Sequence, residues 1–181
     1  MDEREAIELI STAVAGSGAL WADVGAGSGT FTRALRSILP TGNRIYAVDK
    51  DPGAIALLSE IGDNVVPVHA DFTRRPVLPG QVASLDGLLL ANALHFVRDA
   101  DNVLRHLASL LRPGGRVVIV EYDRRAASPW VPYPIGSDRW PALAERAGLT
   151  TPRITARMPS RYAGDLYAGV ATRPAPHGND A

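Results

Sequence analysis

Trp21-Ala22-Asp23-Val24-Gly25-Ala26-Gly27-Ser28-Gly29-Thr30 is the stretch that decides the fold. Its first residues continue an apolar run from Ala19 that suits a short buried strand, and the run ends in a glycine-rich turn. Over residues 30–39, Phe31, Ala34, Leu35, Ile38 and Leu39 recur at helical spacing, and Pro40 and Gly42 stop the helix. Glycines in a strand-to-helix turn allow a tight bend and a close backbone approach to a ligand, and the helix that follows presents free N–H groups. Alone, such a turn fits a dinucleotide site, a methyl-donor site or a bend without a ligand.

Outward from this unit the alternation repeats. Residues 2–14 read as a helix with Ile7, Ile10 and Val14 on one face, ended by Gly16-Ser17-Gly18. Strands are expected over 44–48, 65–69, 85–90 and 116–120, with helices over 51–61 and 100–111 between them. Asp51 and Pro52 suit a helix start. Residues 73–84 carry Pro76 and Pro79 without a clear period, so that crossover is short or irregular. Arg112-Pro113-Gly114-Gly115 reads as a turn, residues 126–134 as an aromatic, proline-rich loop, and 137–147 as a helix ending at Gly148. Residues 153–158 and 165–171 are two strands joined too closely for a crossover helix, so they pair antiparallel. The expected class is α/β: a doubly wound, mostly parallel seven-stranded sheet with a C-terminal antiparallel hairpin and helices on both faces. One domain is expected over 1–171, with its N-terminal helix in 1–15 and a flexible tail over 172–181.

Composition narrows the function. The 181 residues carry 19 basic and 19 acidic side chains, so no global field points to nucleic acid or an anionic membrane. The absence of Cys excludes disulfides, thiolate metal sites and thiolate nucleophiles. No apolar run resembles a signal peptide or a bilayer span, which makes a cytoplasmic setting the expectation. No His/Asp/Glu cluster has metal-ligand spacing.

Ligands of open α/β sheets bind beyond the carboxyl ends of the strands, at the switch point. Asp23, just before the glycines, would repel an anionic pyrophosphate and favour the ammonium and sulfonium of S-adenosylmethionine. Asp49 lies about 20 residues beyond the last glycine, the spacing at which an acid accepts ribose hydroxyls. Asp71 and Phe72 suit an adenine amino group and ring. Asn92 falls under the methionine end, with His95 near the transferred methyl. Tyr122 and Tyr133, with Trp130, are candidates for an acceptor wall. His95 and Asp123 are the candidate general bases.

Together these residues resemble the class I S-adenosylmethionine-dependent methyltransferases. Residues 22–29 look like the family's first motif, Val48-Asp49 like its acidic ribose position, Ala70-Asp71-Phe72 like its adenine motif, and residues 111–117 like its turn into the fifth strand. The resemblance spans residues 21–171, the closing hairpin included. It implies S-adenosylmethionine as cofactor and S-adenosylhomocysteine as product. It places Asp23, Gly25, Ala26 and Gly27 at the methionine portion, Asp49 at the ribose with Lys50 beside it, Asp71 and Phe72 at the adenine, and Asn92 and Leu94 at the methionine end. The short crossover after Asp71 departs from the family pattern. Little sequence precedes Trp21, so only the first helix and the loop around Tyr133 would close the acceptor side, unless another subunit completes it.

The acceptor is not identified, and a small molecule is the expectation. The family members that methylate exocyclic base amines or glutamine amides carry an Asp/Asn-Pro-Pro-aromatic motif where this chain has Asn92-Ala93-Leu94-His95, and cytosine C5 and arsenite methylation need a Cys. Two other readings stand beside this one: a non-catalytic module that binds the methyl donor, and an NAD-dependent oxidoreductase, which has no use for Asp23 or the final hairpin. Oligomeric state cannot be read.

Overall fold

The computed structural model describes residues 1–80, 84–123, 125–161 and 164–175. Strands β1 (Leu20–Val24), β2 (Arg44–Asp49), β3 (Val65–His69), β4 (Leu85–Ala91), β5 (Leu111–Asp123), β6 (Thr150–Pro159) and β7 (Asp165–Thr172) form one sheet in the order β3-β2-β1-β4-β5-β7-β6. β1 to β5 pair parallel, and β7 runs antiparallel between β5 and β6. The expected class is therefore the observed one.

Parallel strands need crossovers, and crossovers cover both faces. On one face α1 (Glu3–Val14) and α2 (Thr30–Ile38) pack Leu9, Ile10, Phe31 and Leu35 onto Trp21, Ile45, Leu89 and Val118. The short α3 (Pro52–Leu58) lies beside them, with Leu58 against Ala47. The other face carries α4 (Ala100–Ala108) and α5 (Trp140–Arg146), whose Leu104, Leu107, Trp140 and Ala144 meet Leu88, Leu90, Val117 and Ile119. The alternation along β4 and β5 thus feeds two cores.

The differences from expectation have local causes. Residues 112–115, expected as a turn, are absorbed into β5: pairing shifts from Leu85↔Leu111 to Gly87↔Arg116, and the intervening backbone bonds Arg173. That same pairing holds the start of the expected tail. Thr172 lies opposite Arg116, the Arg173 amide donates to the Gly115 carbonyl at 2.8 Å, and residues 176–181 lie outside the described set. The helix expected from 137 begins at Trp140, because the Ser137 amide donates to Asp123 at 3.0 Å and Pro141 fixes the first turn. The described part of the crossover after Asp71 contains no helix; Val77 and Leu78 are buried in the α4/α5 core in its place.

β1 and β4 meet where the strand order reverses, and Trp21 sits opposite Gly87. A methyl group on Gly87 would come within 2.3 Å of the Trp21 ring. Gly87→Ala should cost about 1–3 kcal/mol by overpacking. The expected readout is a lower urea midpoint with an unchanged slope. Trp21→Leu in the same chain should relieve the collision, so a double variant less stable than the sum of the two single changes would contradict this packing.

Candidate functional site

Two cavities open beside one another at the carboxyl end of the sheet, and Asn92 lines both. The first, about 540 Å³, is built on the glycine turn. The Gly25 and Ala26 amides donate to the Val48 carbonyl at 2.8 and 3.0 Å, which folds the turn over the end of β2. Gly25 has φ +77°, and a Cβ there would lie 2.7 Å from that of Ala93. Glycine is thus what lets the loop after β4 close on the turn. Gly27 faces open space, with nothing within 4 Å of where a side chain would start.

Acids border this cavity. Asp49 Oδ2 accepts from the Gly27 amide at 2.8 Å and its Oδ1 from the Asp51 amide at 2.9 Å. Lys50 lines the same wall, and its carbonyl lies 3.0 Å from His69 Nε2. Asp71 Oδ1 accepts from the Thr73 hydroxyl at 2.7 Å and the Thr73 amide at 3.0 Å. Those bonds, the hydroxyl's first, hold the carboxyl below the usual range. The Phe72 side chain completes the wall.

Asn92 occupies the left-handed region at φ +52°, and its amide donates to the Val120 carbonyl at 2.8 Å. Its Oδ1 is buried with no protein partner. An orphaned acceptor beside a wall of carboxylates is suited to a cationic donor such as an ammonium. The donor set fits S-adenosylmethionine: acids for hydroxyls and an amine, an aromatic side chain, and a turn that presents Gly25 and Gly27 to the cavity.

The second cavity, about 430 Å³, is walled by His95, Phe96, Tyr122, Arg125, Trp130 and Val131 as well as Asn92. Beneath it lies a buried pair. His95 Nδ1 is 2.5 Å from Glu121 Oε2, and Glu121 Oε1 accepts from the Leu94 and His95 amides at 3.1 and 3.2 Å. Glu121 is fully buried, and His95 is 2% exposed. Burial pushes the Glu121 carboxyl up, against the pull of His95 and the two amides. The two backbone donors on Oε1 fix the carboxyl so that Oε2 faces the imidazole Nδ1.

Of the residues expected from sequence, Gly25, Gly27, Asp49, Lys50, Asp71, Phe72, Asn92, His95 and Tyr122 line these two cavities. Five others do not. Asp23 is buried below the turn, where its Oδ2 accepts from the Thr32 hydroxyl at 2.6 Å. Ala26 turns toward the Leu58 cluster, and the Leu94 side chain is fully buried in the core. Asp123 is occupied by the Ser137 amide and the Arg157 guanidinium. Burial works to raise its pKa, but these partners outweigh burial and hold the carboxyl low. Tyr133 faces a separate cavity beside α4 and α5, and Trp130 stands in the wall of the second cavity instead. Glu121 was missed as a site residue. Its signal was an acid ending an apolar strand, which must find a partner. Among the described residues no group of His, Asp and Glu could hold a metal ion, and no helix is long and apolar enough to cross a membrane.

Comparison with known proteins agrees with this geometry. Residues 22–119, more than half of the chain, match the family described as Methyltransferase domain. The chain is 33% identical over 108 residues to Polyketide synthase 19 of Gibberella fujikuroi, covering 56% of this chain and 4% of the synthase. It is 29% identical over 114 residues to the ubiquinone/menaquinone biosynthesis C-methyltransferase UbiE of Hahella chejuensis, covering 60% of this chain and 45% of that protein. It therefore spans less than half the length of these curated relatives. The structure of the Burkholderia thailandensis 1,6-didemethyltoxoflavin-N1-methyltransferase, with its namesake and S-adenosylhomocysteine bound, superposes with a TM-score of 0.75. That similarity covers 96% of this chain and 78% of the other at 25% identity.

Asp23 yields a stability test. Burial, eased by Thr32 and reinforced by the Asp49 charge, pushes its pKa from 3.8 to about 7. The folded protein therefore binds more protons than the unfolded chain between those values, and stability falls as pH rises through that window. Asp23→Asn keeps an acceptor for Thr32 and removes the ionisation. It should raise stability at pH 8 by roughly 2–4 kcal/mol and change it little at pH 4. A gain of equal size at both pH values would show that ionisation is not the cause.

Proposed function

The chain belongs to the class I S-adenosylmethionine-dependent methyltransferase family, and on that premise we propose that it methylates a small organic acceptor whose reacting atom gives up a proton to His95. The observation that carries this reading is the adjacency of the two cavities at Asn92, with the His95–Glu121 pair beneath the second.

S-adenosylmethionine, when bound, supplies a methyl group already activated by its sulfonium. In the first cavity Asp49 is assigned to the ribose hydroxyls, Asp71 and Phe72 to the adenine, and Gly25, Gly27 and Asn92 Oδ1 to the methionine end. The second cavity holds the acceptor. There Glu121 accepts the Nδ1 proton of His95 and fixes the tautomer, so that Nε2 takes the proton released by the acceptor atom. The imidazolium that results keeps its bond to Glu121, which is fully buried, so that the opposite charge counts most there. Orientation of two bound partners is worth on the order of 7–11 kcal/mol, and a placed base adds about 10²–10⁴-fold.

The relatives support this reading in kind. One is named for carbon methylation and one for nitrogen methylation. A carbon or an N–H nitrogen acceptor sheds a proton when methylated. A module that only bound the donor would have no use for a buried base under a second cavity. A small-molecule acceptor, a cytoplasmic setting and a single domain over residues 1–171 belong to the same proposal.

Calorimetric titration with S-adenosylmethionine, S-adenosylhomocysteine and NAD tests the first half. Both adenosyl ligands should bind, NAD should not, and Asp49→Ala should weaken binding by about tenfold or more. Folded protein that ignores both adenosyl ligands would overturn the proposal. For the second half, His95→Gln should bind S-adenosylhomocysteine as the parent does, yet lose about 10²–10⁴-fold in transfer of labelled methyl to an acceptor. Full transfer by that variant would remove His95 as the base.

A further inference from the structure

Among the described residues, the wall of the second cavity carries one guanidinium and no carboxylate. Glu121 lies beneath His95, fully buried, and Arg125 stands at the mouth with its guanidinium carbon 4.4 Å from the centroid of the Tyr122 ring. Among the described residues Arg125 forms no ion pair. An arginine stacked on an aromatic face keeps its N–H edge free, and that edge matches a carboxylate or similar planar anion in a two-bond fork.

The rim is aromatic. Phe96 is 56% exposed and Trp130 78%, unusual for residues of this size, and both border this cavity. Exposed apolar surface gathered at a concavity marks a place where something binds. Rigid aromatic faces gain most from a flat partner. The His95 and Phe96 ring centroids lie 4.4 Å apart, with the rings tilted by 48°, so the wall presents ring faces and edges rather than flexible chains.

We propose that this cavity takes a planar, conjugated acceptor bearing an anionic group, with Arg125 receiving the anion at the mouth and Trp130 and Phe96 covering the flat body. Arg125 and Trp130 are then the residues that set acceptor specificity. The inference rests on the methyl-transfer reading only in naming the occupant an acceptor; the charge and shape preference belongs to the cavity itself.

The test uses 2-naphthoate and its neutral isostere 2-naphthamide, titrated against the full chain while the Trp130 indole N–H is followed by NMR. Naphthoate should move that resonance and bind about tenfold or more tightly than the amide, the difference a charge-assisted fork supplies. Arg125→Gln, shown by its thermal midpoint to be folded, should bring the two probes within about twofold, with Arg125→Lys between, because an ammonium lacks the fork. Trp130→Ala, followed by calorimetry, should weaken both probes alike. Equal binding of the two probes, a preference that survives Arg125→Gln, or no shift at Trp130 would overturn the proposal. Failure of the methyl-transfer reading would show separately, as absent binding of S-adenosylhomocysteine, and would leave the naphthoate preference in place.

Discussion

Two parallel neighbours cannot be joined by a tight turn, and that constraint governs this molecule. Each crossover carries the chain back to the start of the next strand, so the segments leaving β1 to β5 all emerge on one edge. The order β3-β2-β1-β4-β5 reverses direction between β1 and β4, which parts the loops there and leaves a crevice. Gly25, Asp49, Asp71, Asn92 and Glu121 are far apart in sequence, yet each follows or ends a strand on that edge. Close packing between β1 and β4 holds the crevice in place. Trp21 fills the space that Gly87 leaves, and Asp86 accepts from the Leu20 amide at 2.8 Å and from Arg112 at 2.5 Å.

The same strand edge carries the least economical group in the fold. Glu121 brings a carboxylate into the core, and burying a charge costs several kcal/mol even after partial compensation. His95 and two backbone amides supply the compensation, all from the loop after β4. A well-packed apolar residue would serve stability as well or better. Stability therefore does not explain the pair, whereas the proposed proton transfer beneath a cavity would. Asp123, two residues on, makes the contrast. Its partners, Ser137 and Arg157, tie β5 to β6 and the segment before α5, and it lines neither of the two cavities.

Periodicity carried the architecture well. The glycine turn, the alternating strands and helices and the closing hairpin were legible because each rests on local pattern. Element ends were less legible, since they depend on distant partners. Residues 112–115 have the composition of a turn and become part of a strand because Arg173, some sixty residues later, pairs with them. Side-chain direction was the harder question for the site. Asp49 and Asp23 both sit near the glycine turn, but Asp49 ends a strand and faces outward while Asp23 points below the turn to Thr32. Glu121 and Asp123 lie on opposite sides of Tyr122, and nothing in the sequence says which of them His95 meets. That follows from the register of β4 on β5, which sets Ala91 opposite Val120 and so brings the loop after β4 over Glu121.

The two cavities differ in charge, and the difference bears on the reaction proposed. The first is bordered by Asp49 and Asp71 against a single lysine, Lys50, the second by Arg125 with four apolar or aromatic neighbours. A positively charged partner is favoured on one side of Asn92 and a negatively charged one on the other. In the transfer proposed, the positive charge leaves the sulfonium and ends on His95 beside Glu121, while the anion at Arg125 stays paired throughout. The fixed acids and the guanidinium hold each partner in its own compartment, and Phe96, Tyr122, Trp130 and Val131 line the acceptor side between Asn92 and Arg125. In this arrangement the apolar wall and the charged ends act together. The ends select and orient, and the wall seats the flat body between them.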